Sequence, residues 1–167
     1  GEIMATYEMP LMRYATRLVC DPSAAQDVVQ DAFIRLCRKT REGQAPEAGT
    51  LRNWLYRVTH NCAVDYIRSE SRRKEIHEEA GDSLKERRED SGFSREHALQ
   101  KVLGALDTLP EAERHVLVLR LQEGLSYKEI SDITGHKSGY VGYLIHHGIK
   151  ELTDRLSEAG LSTEART

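Results

Sequence analysis

Apolar side chains recur along this chain at intervals of three and four, the period of a helix that buries one face. Between Met4 and Val19 they fall at Met4, Tyr7, Leu11, Ala15 and Leu18, with Pro10 as the expected irregularity near the first turn. Asp21-Pro22-Ser23 interrupts the pattern, and Ser23 is the expected N-cap of a second helix running to about Arg38. In that helix Val28, Val29, Ala32, Phe33, Leu36 and Cys37 face inward, which collects Gln26, Asp27, Gln30 and Asp31 on the outer surface beside an Asp31 to Arg35 pair. Lys39 to Gly49 has two glycines, a proline and no period, and reads as a loop delivering Thr50 as N-cap of a long third helix, Leu51 to Arg73. Its apolar stripe is Leu51, Trp54, Leu55, Val58, Cys62 and Tyr66, while Arg52, Tyr56, Arg57, His60, Asn61 and Arg68 fall outside. Asp65, at the margin of the stripe, is expected to pair with Arg68 or with an arginine of the first helix.

The period fades from Lys74 to His97, where Ile76, Leu84 and Phe93 are the only large apolar residues among charges of both signs. So little apolar surface cannot pack a core, and a solvated tether is expected there. Helical spacing resumes at Leu99, Val102, Leu103 and Leu106 and breaks at Leu109-Pro110. A further helix comes next, with Pro110 in its first turn, Val116, Leu117, Leu119 and Leu121 facing inward, and an end at Gly124. Ser126-Tyr127-Lys128-Glu129 has capping-box spacing and opens a short helix anchored by Ile130 and Ile133. After Thr134-Gly135 the last helix repeats Val141, Leu144, Ile145, Gly148, Ile149, Leu152 and Leu156. Short capped helix, glycine turn and longer helix are the layout of a helix-turn-helix, whose second helix enters the major groove. The expected fold is all-α: two small helical domains, 4–73 and 98–156, joined by a charged flexible linker at 74–97 and followed by a tail at 157–167.

Charge sharpens this picture. The 167 residues carry a net charge of −3, yet Leu51 to Arg73 holds five arginines against Asp65 and Glu70. The mixture of guanidinium, aromatic and amide groups on that helix suits phosphate holding, base stacking and base-edge hydrogen bonding. An acidic chain that works on nucleic acid needs a partner, because backbone affinity comes largely from neutralised phosphates. The three cysteines, Cys20, Cys37 and Cys62, form no CxxC pair and lie in or beside apolar stripes, so buried reduced thiols and a cytoplasmic setting are expected. No apolar run approaches a membrane span or a leader. Nucleotide-binding glycine motifs, a nucleophile elbow and the i, i+4 histidine pair of a zinc site are absent; adjacent His146 and His147 point apart, so neither a metal nor enzymatic activity is expected.

Four blocks then fall in a recognisable order: DVVQDAF at Asp27 to Phe33, WLYRVTHNCAVDYIR at Trp54 to Arg68, LDTLPEAERHVLVLRLQEGLSYKEIS at Leu106 to Ser131, and Gly135 to Leu152. Over roughly Tyr7 to Leu156 the chain resembles the extracytoplasmic-function sigma factors of bacterial RNA polymerase, the smallest members of the sigma-70 family. The resemblance implies a non-enzymatic initiation factor without cofactor. Gln26, Asp27, Gln30 and Asp31 would dock on core polymerase, whose largest-subunit coiled coil and flap are the family's contacts. Tyr56, Arg57, His60, Asn61, Arg68, Arg72 and Arg73 would read and melt the minus-ten element, with Asn61 and the 39–50 loop forming a pocket for a flipped base. Lys137, Ser138, Tyr140, Tyr143, His146 and His147 would read the minus-thirty-five element of promoter DNA. It also implies a monomer when free, and an anti-sigma protein that would hold the factor inactive and supply any link to a membrane.

One departure stands out. Where many members have a basic recognition helix, seven acids outnumber six bases between Pro110 and Leu156, so this domain is expected to grip DNA weakly without polymerase. The residues alone leave a second reading open, an autonomous helix-turn-helix regulator whose first domain senses a ligand or dimerises. Such a protein would bind a palindromic site as a dimer, with half-sites about one helical turn apart.

Overall fold

A computed structural model describes residues 1–78 and 95–158. Among them are seven α-helices: α1 (Glu2–Val19), α2 (Pro22–Arg41), α3 (Ala48–Glu78), α4 (Arg95–Asp107), α5 (Glu111–Leu117), α6 (Tyr127–Thr134) and α7 (Ser138–Glu158). A single π-helical turn, Val118–Gln122, continues directly from α5. The tether expected at 74–97 is helical as far as Glu78, where α3 ends, and from Arg95, where α4 begins; the stretch between, and the end of the tail, lie outside the described residues.

Helices α1, α2 and α3 pack on one another around Leu11, Tyr14, Leu18, Val29, Phe33 and Leu55. Pro10 does not break α1, although Thr6 loses the amide donor that residue 10 would otherwise supply. The helix stops where Cys20 takes the left-handed conformation (φ 56°) and its N–H donates to the Thr16 carbonyl at 2.9 Å. The cap of α2 is Asp21, not Ser23: the Asp21 carboxylate accepts from the backbone N–H of Ser23 and Ala24 at 2.9 and 3.4 Å. Pro22 explains the choice, since a proline is best placed at the first helical position, directly after the cap. Nor does Thr50 cap α3, which begins at Ala48; the Thr50 hydroxyl donates instead to the Glu47 carbonyl.

In the second unit α5, the π-turn, α6 and α7 enclose Leu117, Leu119, Ile130, Ile133, Val141 and Leu144. The capping box forms in full, with Ser126 N–H donating to Glu129 at 2.8 Å and Glu129 N–H to the Ser126 hydroxyl at 3.2 Å. Gly135 closes α6 at φ 78°, a conformation open to glycine at no steric cost. Leu121, expected inside, is 57% exposed, because the π-turn adds a residue to the winding and rotates this side chain away from the core. Gly148 lets α7 approach α5 closely: a Cβ there would lie 2.8 Å from a methyl of buried Leu117.

The two units are in contact. α3 packs on α6, and α1 touches both α5 and the π-turn. Arg17 pairs with Asp107 at 3.6 Å, and Arg114 donates to the Leu18 carbonyl at 3.5 Å.

Candidate nucleic-acid and polymerase interfaces

Helix α3 carries the arginines on its solvated side. Arg57, Asn61, Arg68 and Arg72 are all exposed, and at about 100° per residue they lie within roughly 60° of arc. Three guanidinium groups and one amide therefore share a face, enough to hold a phosphate chain and hydrogen-bond one base. Arg73 sits away from that face and is tied to Glu70 at 2.9 Å. Asp65 is exposed and has no ion pair among the described residues, so the expected architectural pairing does not form.

Tyr56 and His60 are a correction. Placed outside the apolar stripe by their phase, they are 1% and 6% exposed, covered by the second unit. The Tyr56 hydroxyl donates to the Glu123 carboxylate at 2.5 Å, and its ring lies 5.4 Å from that of Tyr14. Arg52, on the same flank, donates to the Glu123 carbonyl at 2.9 Å. His60 Nδ1 is 2.8 Å from the Tyr14 hydroxyl, and the His60 ring meets His115 of α5 edge-on at 5.3 Å. Burial pushes His60 down to about 4, with His136 adding to the effect. It pushes His115 to about 3, helped by His60, Arg114 and His136. Both rings are therefore neutral near pH 7. Burial, then the neighbouring Glu123 carboxylate, raises the Tyr56 phenol and keeps it a donor. Asn53 and Arg52 also face Glu129, whose carboxyl is held low chiefly by the Ser126 backbone N–H. The pattern along the sequence did not mark Glu123, Asn53 or His115, since nothing local signals a contact made some sixty residues away.

On α2, Gln26, Asp27 and Gln30 are exposed, as their phase demands. Asp31 is half-buried and committed: one carboxylate oxygen accepts from Arg35 at 2.9 Å and from the Cys62 thiol at 3.1 Å. Burial and that hydrogen bond push the Cys62 thiol up to about 12. Cys62 is buried, but Cys20 and Cys37 are exposed, against expectation; all three are free thiols. Gln26 and Gln30 border a groove of about 660 Å³ between α1 and α2, floored by Met4, Met12, Val29 and Phe33. Ile34, one turn beyond Gln30, stands 65% exposed at its rim.

On α7, Lys137 and Ser138 lie exposed at the start of the helix. His136, Tyr140, Tyr143 and His147 form a ladder of rings 5.2, 6.0 and 5.7 Å apart. Tyr140 and Tyr143 are exposed, as is His146 on a neighbouring line. His147 is not free: its Nδ1 lies 2.8 Å from the buried Glu113 carboxylate, which fixes the ring against α5. Among the described residues no cluster of His, Cys, Asp and Glu could hold a metal, and no helix is long and apolar enough to cross a membrane.

Comparison with known proteins places this arrangement. The family described as Sigma-70 region 2 matches residues 3–73, and Sigma-70, region 4 matches residues 99–152. The chain therefore belongs to the sigma-70 family, in its extracytoplasmic-function group. The ECF RNA polymerase sigma factor SigE of Mycolicibacterium smegmatis is 32% identical over 97% of this chain and 63% of its own length. RNA polymerase sigma factor SigV of Bacillus subtilis is 25% identical over 93% of this chain and 90% of its own. The chain thus spans somewhat under two thirds of the first relative and most of the second. In fold it matches the sigma factor RpoE of Bartonella quintana, solved in complex with the anti-sigma factor NepR, with TM-score 0.74 and 22% identity over 93% of this chain and 95% of that one.

Proposed function

We propose that this chain binds core RNA polymerase in the cytoplasm and directs it to promoters, where it reads two elements and opens the strands. The observation that carries this reading is the joint presence, in order, of the two sigma-70 regions with an exposed arginine and asparagine face on the first. Support for a dock at Gln26, Asp27 and Gln30 is their exposure beside an apolar groove with Ile34 at its rim. Polar specificity around an apolar anchor is how protein interfaces are commonly built. Support for melting at α3 is the placement of Asn61 among Arg57, Arg68 and Arg72: base capture by stacking and edge hydrogen bonds offsets the few kcal/mol that extrusion costs, without ATP. In this role the protein is an initiation factor and not a catalyst, and an anti-sigma protein is an expected partner.

The test is transcription by purified core polymerase with wild-type chain and with Asp27→Arg/Gln30→Arg. That pair spares Asp31, which also holds Cys62 and Arg35. We expect the double variant to lose core binding and specific transcripts while keeping its helical content. Unimpaired transcription would remove the dock from α2.

A further inference from the structure

The ring ladder of α7 ends on a residue that another helix holds. His147 closes the line that runs through His136, Tyr140 and Tyr143, its ring 5.7 Å from that of Tyr143. Its Nδ1 lies 2.8 Å from Oε1 of Glu113 on α5, a residue only 6% exposed. Gly148 makes room for this approach, since a Cβ there would stand 3.4 Å from the Glu113 Cβ.

Packing is a poor account of Glu113. Its second oxygen, Oε2, is buried without a hydrogen-bond partner, and a half-satisfied buried carboxylate costs stability that a leucine of similar volume would not. What the carboxylate does supply is direction. An ionised carboxylate only accepts, so the hydrogen between the two groups sits on His147 Nδ1. The neutral ring is then held in one tautomer, with Nδ1–H toward α5 and a bare Nε2 on the opposite edge. That edge makes no hydrogen bond among the described residues, and the side chain is 43% exposed beside Tyr143 on the second helix of the helix-turn-helix.

A bare imidazole nitrogen is an acceptor. In the major groove its partners on a base are exocyclic amino groups, N6 of adenine or N4 of cytosine, whereas guanine and thymine present only acceptors there. In the opposite tautomer Nε2–H would donate, and the same ring would favour guanine or thymine. The choice between the two falls to Glu113, which precedes the helix-turn-helix and is too buried to reach DNA itself.

We propose that Glu113 is a positioning residue for base recognition: it fixes His147 as the Nδ1–H tautomer, so that α7 presents Nε2 as an acceptor and selects adenine or cytosine over guanine or thymine at one position of the upstream element. The proposal rests on the promoter-recognition reading and deepens it, by naming the base chemistry that one residue of α7 takes.

Two measurements test it. In ¹⁵N NMR spectra of the full chain at about pH 9, with imidazole neutral, His147 should carry its proton on Nδ1, and Glu113→Leu should move it to Nε2. A wild-type ring protonated on Nε2 would overturn the proposal, and that spectrum needs no variant to be read. The second measurement is selection of promoter fragments, randomised across the upstream element, by holoenzyme assembled from core polymerase and this chain at the same pH. Wild type should prefer adenine or cytosine about fivefold at one position of one strand, the effect of a single base-edge hydrogen bond. Glu113→Leu should erase or reverse that preference and leave the neighbouring positions as they were, which a merely loosened scaffold would not do. His147→Phe keeps a ring in the ladder and should erase the preference as well. Glu113→Leu/His147→Phe should match His147→Phe alone, since Glu113 acts through the histidine. An unchanged preference in Glu113→Leu, or a further loss in the double variant, would defeat the positioning role alone. Wild-type holoenzyme that selects no upstream sequence would defeat the promoter reading, and the base contact with it.

Discussion

Helices α3 and α7 are the two elements expected to meet DNA, and they are built on different principles. The exposed face of α3 gathers Arg57, Arg68 and Arg72 around Asn61, so the affinity proposed for it would be electrostatic. The exposed face of α7 is a ladder of aromatic rings, Tyr140 and Tyr143 between His136 and His147, with Lys137 and Ser138 at its start. Charge holds any phosphate chain and falls steeply with salt, while rings and hydroxyls discriminate but hold little. The comparison teaches where the work is divided. On the proposed reading α3 would grip and open, whereas α7 would contribute selection and borrow its grip from the polymerase.

The largest expected effect concerns the histidines that this contrast separates, His60 and His115 at the inner contact against His146 outside. Both inner rings are depressed below the ordinary 6.5 of a histidine, so the unfolded chain binds more protons than the folded one between that value and about 4. Stability is then fully present above about 6.5 and falls as the pH drops toward 4, by about 3 kcal/mol for a ring shifted as far as His60. Urea unfolding at a series of pH values should show the slope, and His60→Gln/His115→Gln should flatten it. A slope unchanged in that variant would mean other groups carry it.

Next comes the charge on α3. Replacing Arg57, Arg68 and Arg72 together by alanine should weaken polymerase-dependent promoter binding about a hundredfold and reduce the salt slope by about 2, the loss of three single-strand phosphate contacts. Arg73→Ala, at a residue already tied to Glu70, should do much less. Equal effects would erase the shared face inferred from helical phase. Tyr143→Ala is the mirror case. It should cost about 1 kcal/mol of discrimination at one base pair of the upstream element and leave the salt slope unchanged. A fall in slope would make α7 a charge reader after all.

A smaller effect tests the scaffold that holds α7 in place. Gly148→Ala gains helix propensity but drives a methyl against the fully buried Leu117 side chain, so thermal melting should show a net loss of about 1 kcal/mol. A stabilised variant would show that α5 and α7 can part cheaply.

How much of this was legible depended on how local its cause was. The capping box Ser126 to Glu129 and the left-handed Gly135 could be read directly, because each is decided within a few residues. The cap of α2 is Asp21 and not the expected Ser23, although Pro22, best placed directly after a cap, is the clue that selects Asp21. The position of Leu121 could not be read, since a π-turn shifts phase without any residue that announces it. Tyr56 and His60 were least legible of all. Their helical phase puts them beside the stripe, and only the docking of a unit some sixty residues away buries them. The exposed face of α3 survived because Arg57, Asn61, Arg68 and Arg72 depend on nothing but the helical period.

The most direct measurement is start-site mapping with purified core polymerase on a fragment library of the source genome, with and without this chain. The account predicts new, discrete start sites that appear only with the chain, that share two upstream elements of unlike sequence, and that vanish with Asp27→Arg/Gln30→Arg. Start sites identical with and without the chain would contradict it.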